Sequence, residues 1–224
     1  MNDTARMLRQ AAASGDTHRV AGILASGVSA DLRETDVART ALDQAVWNNH
    51  PDVVRVLLAA GAAPDAEMGE FRETTALRYS APRGMREVAQ HLLDAGANPN
   101  GRADTDQYTP LILAAAQGEV DMVELLLDRG ASPDLTVEPQ LVAGVAEKLG
   151  ISTRASPLSS AAWSGHVETV QLLLARGARP DFEVLDSVTR GMARAETDPS
   201  VHHRGSLRAF TLIRELVEQA RKLP

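Results

Sequence analysis

The stretch TPLILAAAQGEVDMVELLLDRGASPD (109–134) contains one complete helix–turn–helix unit. Thr109 is a favourable helix cap, and Pro110 takes the first helical position, where its missing N–H sacrifices no hydrogen bond. Leu111 with Ala114 and Ala115 gives the first helix one apolar face. Gly118 supplies a turn, because glycine enters positive φ at little cost. Val120, Val123, Leu126 and Leu127 then recur at helical spacing as a single apolar stripe. Gly130 stops the second helix, and Ala131-Ser132-Pro133-Asp134 opens an extended loop. Neither helix can bury its stripe alone, so the unit requires neighbours stacked on both sides.

The sequence supplies them. A paired aliphatic followed three residues later by glycine occurs as Ile23-Leu24 with Gly27, Leu57-Leu58 with Gly61, Leu92-Leu93 with Gly96, Leu126-Leu127 with Gly130, and Leu173-Leu174 with Gly177. The glycines are 34, 35, 34 and 47 residues apart. A cap lies 21 residues before each of the last four, in Thr40-Ala41-Leu42, Thr75-Ala76-Leu77, Thr109-Pro110-Leu111 and Ser156-Pro157-Leu158. Turn residues follow each cap at a constant offset, Asn49, Gly84, Gly118 and Gly165, and Gly15 fills the same role in the first unit. A period in the thirties is the mark of a repeat array.

These units resemble the ankyrin repeat family. The resemblance rests on 109–134 and on SPLSSAAWSGHVETVQLLLARGARPD (156–181), TALDQAVWNNHPDVVRVLLAAGAAPD (40–65) and TALRYSAPRGMREVAQHLLDAGANPN (75–100), and it covers roughly residues 4–182. It implies an all-α solenoid of stacked helix–turn–helix repeats. Five repeats are expected within residues 1–182, at about 4–36, 37–71, 72–105, 106–152 with an inserted helix, and 153–182; 183–224 form a degenerate, helical capping repeat. The family's histidine three residues after the cap is replaced by Asp43, Arg78, Ile112 and Ser159. Its ring-to-loop hydrogen bond is therefore expected to be missing, with Asp43 and Arg78 placed to pair instead.

The period breaks twice. Between Leu135 and Ala155 about a dozen extra residues include 139–149, whose apolar positions 141, 142, 145, 146 and 149 predict a short extra helix. After residue 182, segments 183–195 and 206–222 read as helices joined by a turn-rich loop. His202-His203 in that loop is expected to be solvent-exposed and not a metal site.

Composition narrows the function. The chain has 224 residues with 3% aromatics and a formal charge of −7, which argues against nucleic acid as principal partner. It contains no cysteine, which removes disulfides, thiolate catalysis and cysteine zinc sites. No apolar stretch approaches the ~20 residues of a membrane span, and the N-terminus has no apolar leader. The expectation is a cytoplasmic monomer without cofactor, metal or membrane contact.

In the ankyrin family the ends of the first helices and the loop tips line a concave binding surface. Mapped by offset, that surface carries Arg39, Trp47, Asn48, Phe71, Arg72, Arg83, Tyr108, Gln117 and Trp163. Four of the seven aromatics, Trp47, Phe71, Tyr108 and Trp163, fall there. Trp, Tyr and Arg dominate interface hot spots, and the arginines suit a partner with carboxylates. The expected function is protein–protein interaction through one groove from Arg39 to Trp163. The alternative is an enzyme or small-molecule binder using the same groove as a pocket, with Pro82 shortening a helix at its centre and Asp43, His50, Arg78, Asp106 or Tyr108 as chemistry. A scaffold that dimerises through the cap is a third reading.

Overall fold

The computed structural model describes residues 2–33, 39–68, 74–101, 108–137, 154–197 and 207–222. Helices pair in the expected register: α1 (Asn2–Ala13) with α2 (Thr17–Ala25), α3 (Ala41–Trp47) with α4 (Pro51–Ala59), α5 (Ala76–Ser80) with α6 (Arg86–Asp94), α7 (Pro110–Gln117) with α8 (Val120–Asp128), and α9 (Pro157–Ser164) with α10 (Val167–Ala175). Two longer helices follow, α11 (Phe182–Thr197) and α12 (Leu207–Ala220). The fold is all-α, as expected. One departure is a two-residue antiparallel hairpin, Glu67–Met68 against Thr74–Thr75, where loop was anticipated.

Local chemistry explains the boundaries. Thr40, Thr75, Thr109 and Ser156 each accept the backbone N–H three residues on, at 3.1, 3.4, 3.1 and 3.0 Å. The five expected turn positions all take positive φ, Asn49 at 54° among them. Pro82 ends α5 early, and the chain continues as a 3-10 turn over Ala81–Arg83, because proline cannot supply the next helical N–H.

The chain forms two compact units, one of Met1–Ala81 with Met85–Gly101, the other of Pro82–Gly84 with Arg102–Pro224. In the first, α1 packs on α3, α3 on α5, and α2 on α4, which packs on α6. Leu8, Val20, Leu42, Val46, Val53, Leu57, Leu77, Val88 and Leu92 are buried between them. In the second, α7, α9 and α11 pack in succession, as do α8, α10 and α12. Leu111, Ile112, Met122, Leu126, Leu158 and Leu173 form that core, closed by Phe210, Ile213 and Val217 of α12. Helix α11 packs on α9, and α12 packs on α10 and α11. The inserted helix at 139–149 and His202-His203 lie outside the described residues. The insertion's flanks are joined, since Val137 and Ala155 exchange backbone hydrogen bonds at 3.0 and 2.9 Å.

Loop aspartates tie successive repeats. Asp31 accepts the Ala63 N–H at 3.2 Å, and Asp65 accepts that of Asn98 at 3.0 Å. In the second unit Asp134 accepts both the N–H and the Nε of Arg179, each at 2.8 Å. Nearby, Arg176 reaches Asp128 at 2.5 Å and Glu124 at 3.0 Å; the hydrogen bond to Asp128 leads the causes that raise its pKa.

Candidate functional site

The expected groove residues divide between the two units. In the first, Trp47 is the last residue of α3 and stands half-buried. The Arg39 guanidinium carbon lies 4.3 Å from the centroid of its ring. Tyr79 of α5 also lies near Trp47, with ring centroids 6.4 Å apart and planes inclined by 59°. A cation over an indole and a tilted aromatic pair are both attractive arrangements. They hold a large, partly exposed ring in one orientation. Asn48 beside it is exposed, and its Nδ2 donates to the Gln44 carbonyl at 2.8 Å.

The second unit repeats the device with a different source of arginine. Trp163 near the end of α9 is 36% exposed. The Arg194 guanidinium carbon of α11 lies 5.6 Å from its ring centroid. Trp163, Ser164, Gln117 and Arg194 line a cleft of about 230 Å³, with Ala116 and Phe210 as apolar walls. The close packing there depends on Gly191, one helical turn before Arg194. A Cβ at 191 would come 2.5 Å from Phe210 Cε1 and 3.0 Å from the Trp163 carbonyl oxygen. Arg83 and Gln117 in this unit are exposed, and Tyr108 is half-buried. Phe71 and Arg72 lie outside the described residues.

Three residues offered for catalysis, Asp43, Arg78 and His50, make local structural hydrogen bonds. Asp43 is 1% exposed; its carboxylate accepts the Thr40 N–H at 3.1 Å and the Thr40 hydroxyl at 2.7 Å. Ser159 likewise accepts the Ser156 N–H at 2.9 Å. At these two repeats the residue in the family's histidine position therefore bonds back to its own cap. Arg78 is half-buried, which lowers its pKa, and its Nη1 donates to Thr74 Oγ1 at 3.5 Å. His50 Nε2 lies 3.1 Å from the Ala13 carbonyl, and His166 Nε2 lies 3.2 Å from that of Ala116. A carbonyl only accepts, so each ring donates from Nε2 to a helix end of the preceding repeat. Asp106 is outside the described residues. Among the described residues no group of three or more potential ligands could hold a metal ion.

The sequence matches the ankyrin repeat families, as "Ankyrin repeats (3 copies)" over residues 63–137 and as "Ankyrin repeat" over 39–68 and 154–183. The chain belongs to the ankyrin repeat family. Among curated proteins it is similar to an ankyrin repeat-containing protein of Treponema pallidum, 34% identical over 131 residues, 58% of this chain and 40% of that one. It is 33% identical over 123 residues to the ankyrin repeat and KH domain-containing protein mask-1 of Caenorhabditis elegans, covering 55% of this chain and 4% of that protein. It is 39% identical over 85 residues to the glycerophosphocholine phosphodiesterase gde1 of Schizosaccharomyces pombe, covering 37% of this chain and 7% of that enzyme. The chain thus spans well under two thirds of each relative. Ankyrin repeats are in general protein-interaction modules.

Arg194, Gly191 and Phe210 escaped sequence reading. They lie beyond the last matched repeat, where no repeat offset assigns a face. The available signal was Gly191 itself, a glycine inside an otherwise apolar-periodic helix, which often marks close packing.

Proposed function

We propose that this chain is a protein-binding module that engages its partner through its two arginine-braced tryptophans. The observation that carries this reading is the pairing of Arg39 with Trp47 and of Arg194 with Trp163. Both tryptophans end first helices of repeats, remain partly exposed, and are held in place before any partner arrives. A large ring already fixed in orientation loses little entropy on binding, which is how hot-spot residues give affinity. The arginines offer hydrogen bonds to partner carboxylates. Asn48, Arg83, Tyr108 and Gln117, with Phe71 and Arg72, complete the proposed contact set.

The cleft beside Trp163 favours a protein side chain over a free ligand, because about 230 Å³ is below the ~300–1,000 Å³ typical of small-molecule sites. No helix among the described residues is long and apolar enough to cross a membrane. Action as a cytoplasmic monomer is part of the proposal, and the cysteine-free composition is compatible with a reducing compartment.

Affinity capture with the wild-type chain and with Trp47→Ala/Trp163→Ala, followed by mass spectrometry, tests the reading. A protein retained by the wild type and lost from the doubly substituted chain, at matched helical content, is the expected result. Identical retention by both would remove the tryptophans from the interface.

A further inference from the structure

We infer that Asn100 is a site of spontaneous covalent modification. Its side-chain amide is attacked by the backbone nitrogen of Gly101 when the turn that holds them opens, leaving aspartate or isoaspartate. The site is independent of the tryptophan contacts proposed above.

Asn100-Gly101 is the only Asn-Gly pair in the chain. Glycine has no Cβ to shield its nitrogen, and its backbone freedom lets that nitrogen reach the preceding side chain. The Gly101 nitrogen bonds to Asn100 Cγ and closes a succinimide ring. The Cγ–Nδ2 bond breaks, and Nδ2 leaves as ammonia with the proton that Gly101 gives up. Water then adds to either ring carbonyl. Opening at Cγ gives aspartate, and opening at the main-chain carbonyl gives isoaspartate.

The folded turn opposes the attack. Gly101 is buried with a φ of 73°, and its N–H donates to the Asn98 carbonyl at 2.9 Å. The Asn100 N–H donates to Asn98 Oδ1 at 3.0 Å. Asn98 is itself fastened to the preceding repeat, where Asp65 accepts its N–H at 3.0 Å. Pro99 pre-sets the backbone of such a turn. Ring closure needs a rotation at Asn100 that these bonds resist, so the reaction follows local opening.

One product matches the rest of the array. Asn100 lies four residues after Gly96, and the same offset from Gly27, Gly61, Gly130 and Gly177 gives Asp31, Asp65, Asp134 and Asp181. Three of these aspartates accept a backbone N–H of the following repeat, from Ala63, Asn98 and Arg179. Conversion to aspartate gives position 100 the residue the other four repeats carry, with an added negative charge. Conversion to isoaspartate routes the main chain through the side-chain carbon and breaks the register of the turn.

Peptide mapping by mass spectrometry tests this on the full chain, incubated at neutral pH either folded or in concentrated guanidinium chloride. Unfolded chain should convert at Asn100 at least about ten-fold faster than folded chain. Gly101→Ala, compared in the unfolded state so that its own folding does not enter, should lose most of that rate, because a Cβ then stands beside the nitrogen. Asp65→Ala, with helix content checked by circular dichroism, should speed the reaction in the folded chain. No conversion in the unfolded chain, or an undiminished rate in Gly101→Ala, would remove the site. Equal rates folded and unfolded, or no acceleration in Asp65→Ala, would overturn the control by the turn.

Discussion

Arg39 and Trp47 form a stacked pair, with the guanidinium carbon 4.3 Å from the indole centroid. The pair joins the residue just before the Thr40 cap to the end of the helix that this cap begins. The cation therefore braces the ring from within the same repeat. Arg39→Ala should cost about 0.5–1 kcal/mol in urea unfolding, the range for a partly exposed cation over indole. It should also change Trp47 emission while leaving helix content intact. An unaltered emission spectrum would show that the two groups do not stay stacked in solution.

Gly118 and Gly130 separate backbone strain from crowding. Both have positive φ, 76° and 88°. A Cβ at 118 would lie 2.5 Å from His166 Nδ1, whereas nothing lies within 4 Å of one at 130. Gly130→Ala should cost about 1–2 kcal/mol, the left-handed penalty alone. Gly118→Ala should cost at least about 1 kcal/mol more, because His166 must give up its bond to the Ala116 carbonyl. Equal losses in denaturant titration would mean that His166 moves freely.

Asp43 closes a capping box with Thr40 in the buried interior of its repeat. Asp43→Ala leaves the Thr40 N–H without that acceptor, and should destabilise the chain by about 1–3 kcal/mol. Asp43→Asn keeps an oxygen in place and should lose less. A smaller loss from alanine than from asparagine, measured by thermal or chemical unfolding, would contradict the assigned role.

The array was legible because its signals are local and periodic. Caps at Thr40, Thr75, Thr109 and Ser156, and turns from Gly15 to Gly165, depend on backbone chemistry that recurs at fixed offsets. The expected shortening at Pro82 follows from a single missing N–H. Tertiary neighbours were less legible. Nothing in the spacing places Arg194 over Trp163 or Arg39 over Trp47, since each requires knowing how a helix or loop end is oriented. The capping boxes closed by Asp43 and Ser159 were not read from the spacing; both side chains are short enough to turn back on their own cap. The expected contact residues divide between the two compact units, with one arginine–tryptophan pair in each.

Gly191 lies inside α11, where alanine would ordinarily add about 1 kcal/mol of helix stability. Here the added methyl meets Phe210 Cε1 at 2.5 Å, and overpacking of that kind costs about 1–3 kcal/mol. Gly191→Ala should therefore lower the melting temperature and displace the Trp163 indole signal. A raised melting temperature would show that α11 does not sit tightly on α9.

The central claim is that both braced tryptophans enter the partner interface. Acrylamide quenching in the Trp47→Phe and Trp163→Phe chains, each reporting one remaining tryptophan, measures this with and without the captured partner. Burial in an interface should reduce each quenching constant by about two-fold or more. Quenching constants unchanged by the partner in both chains would contradict the account.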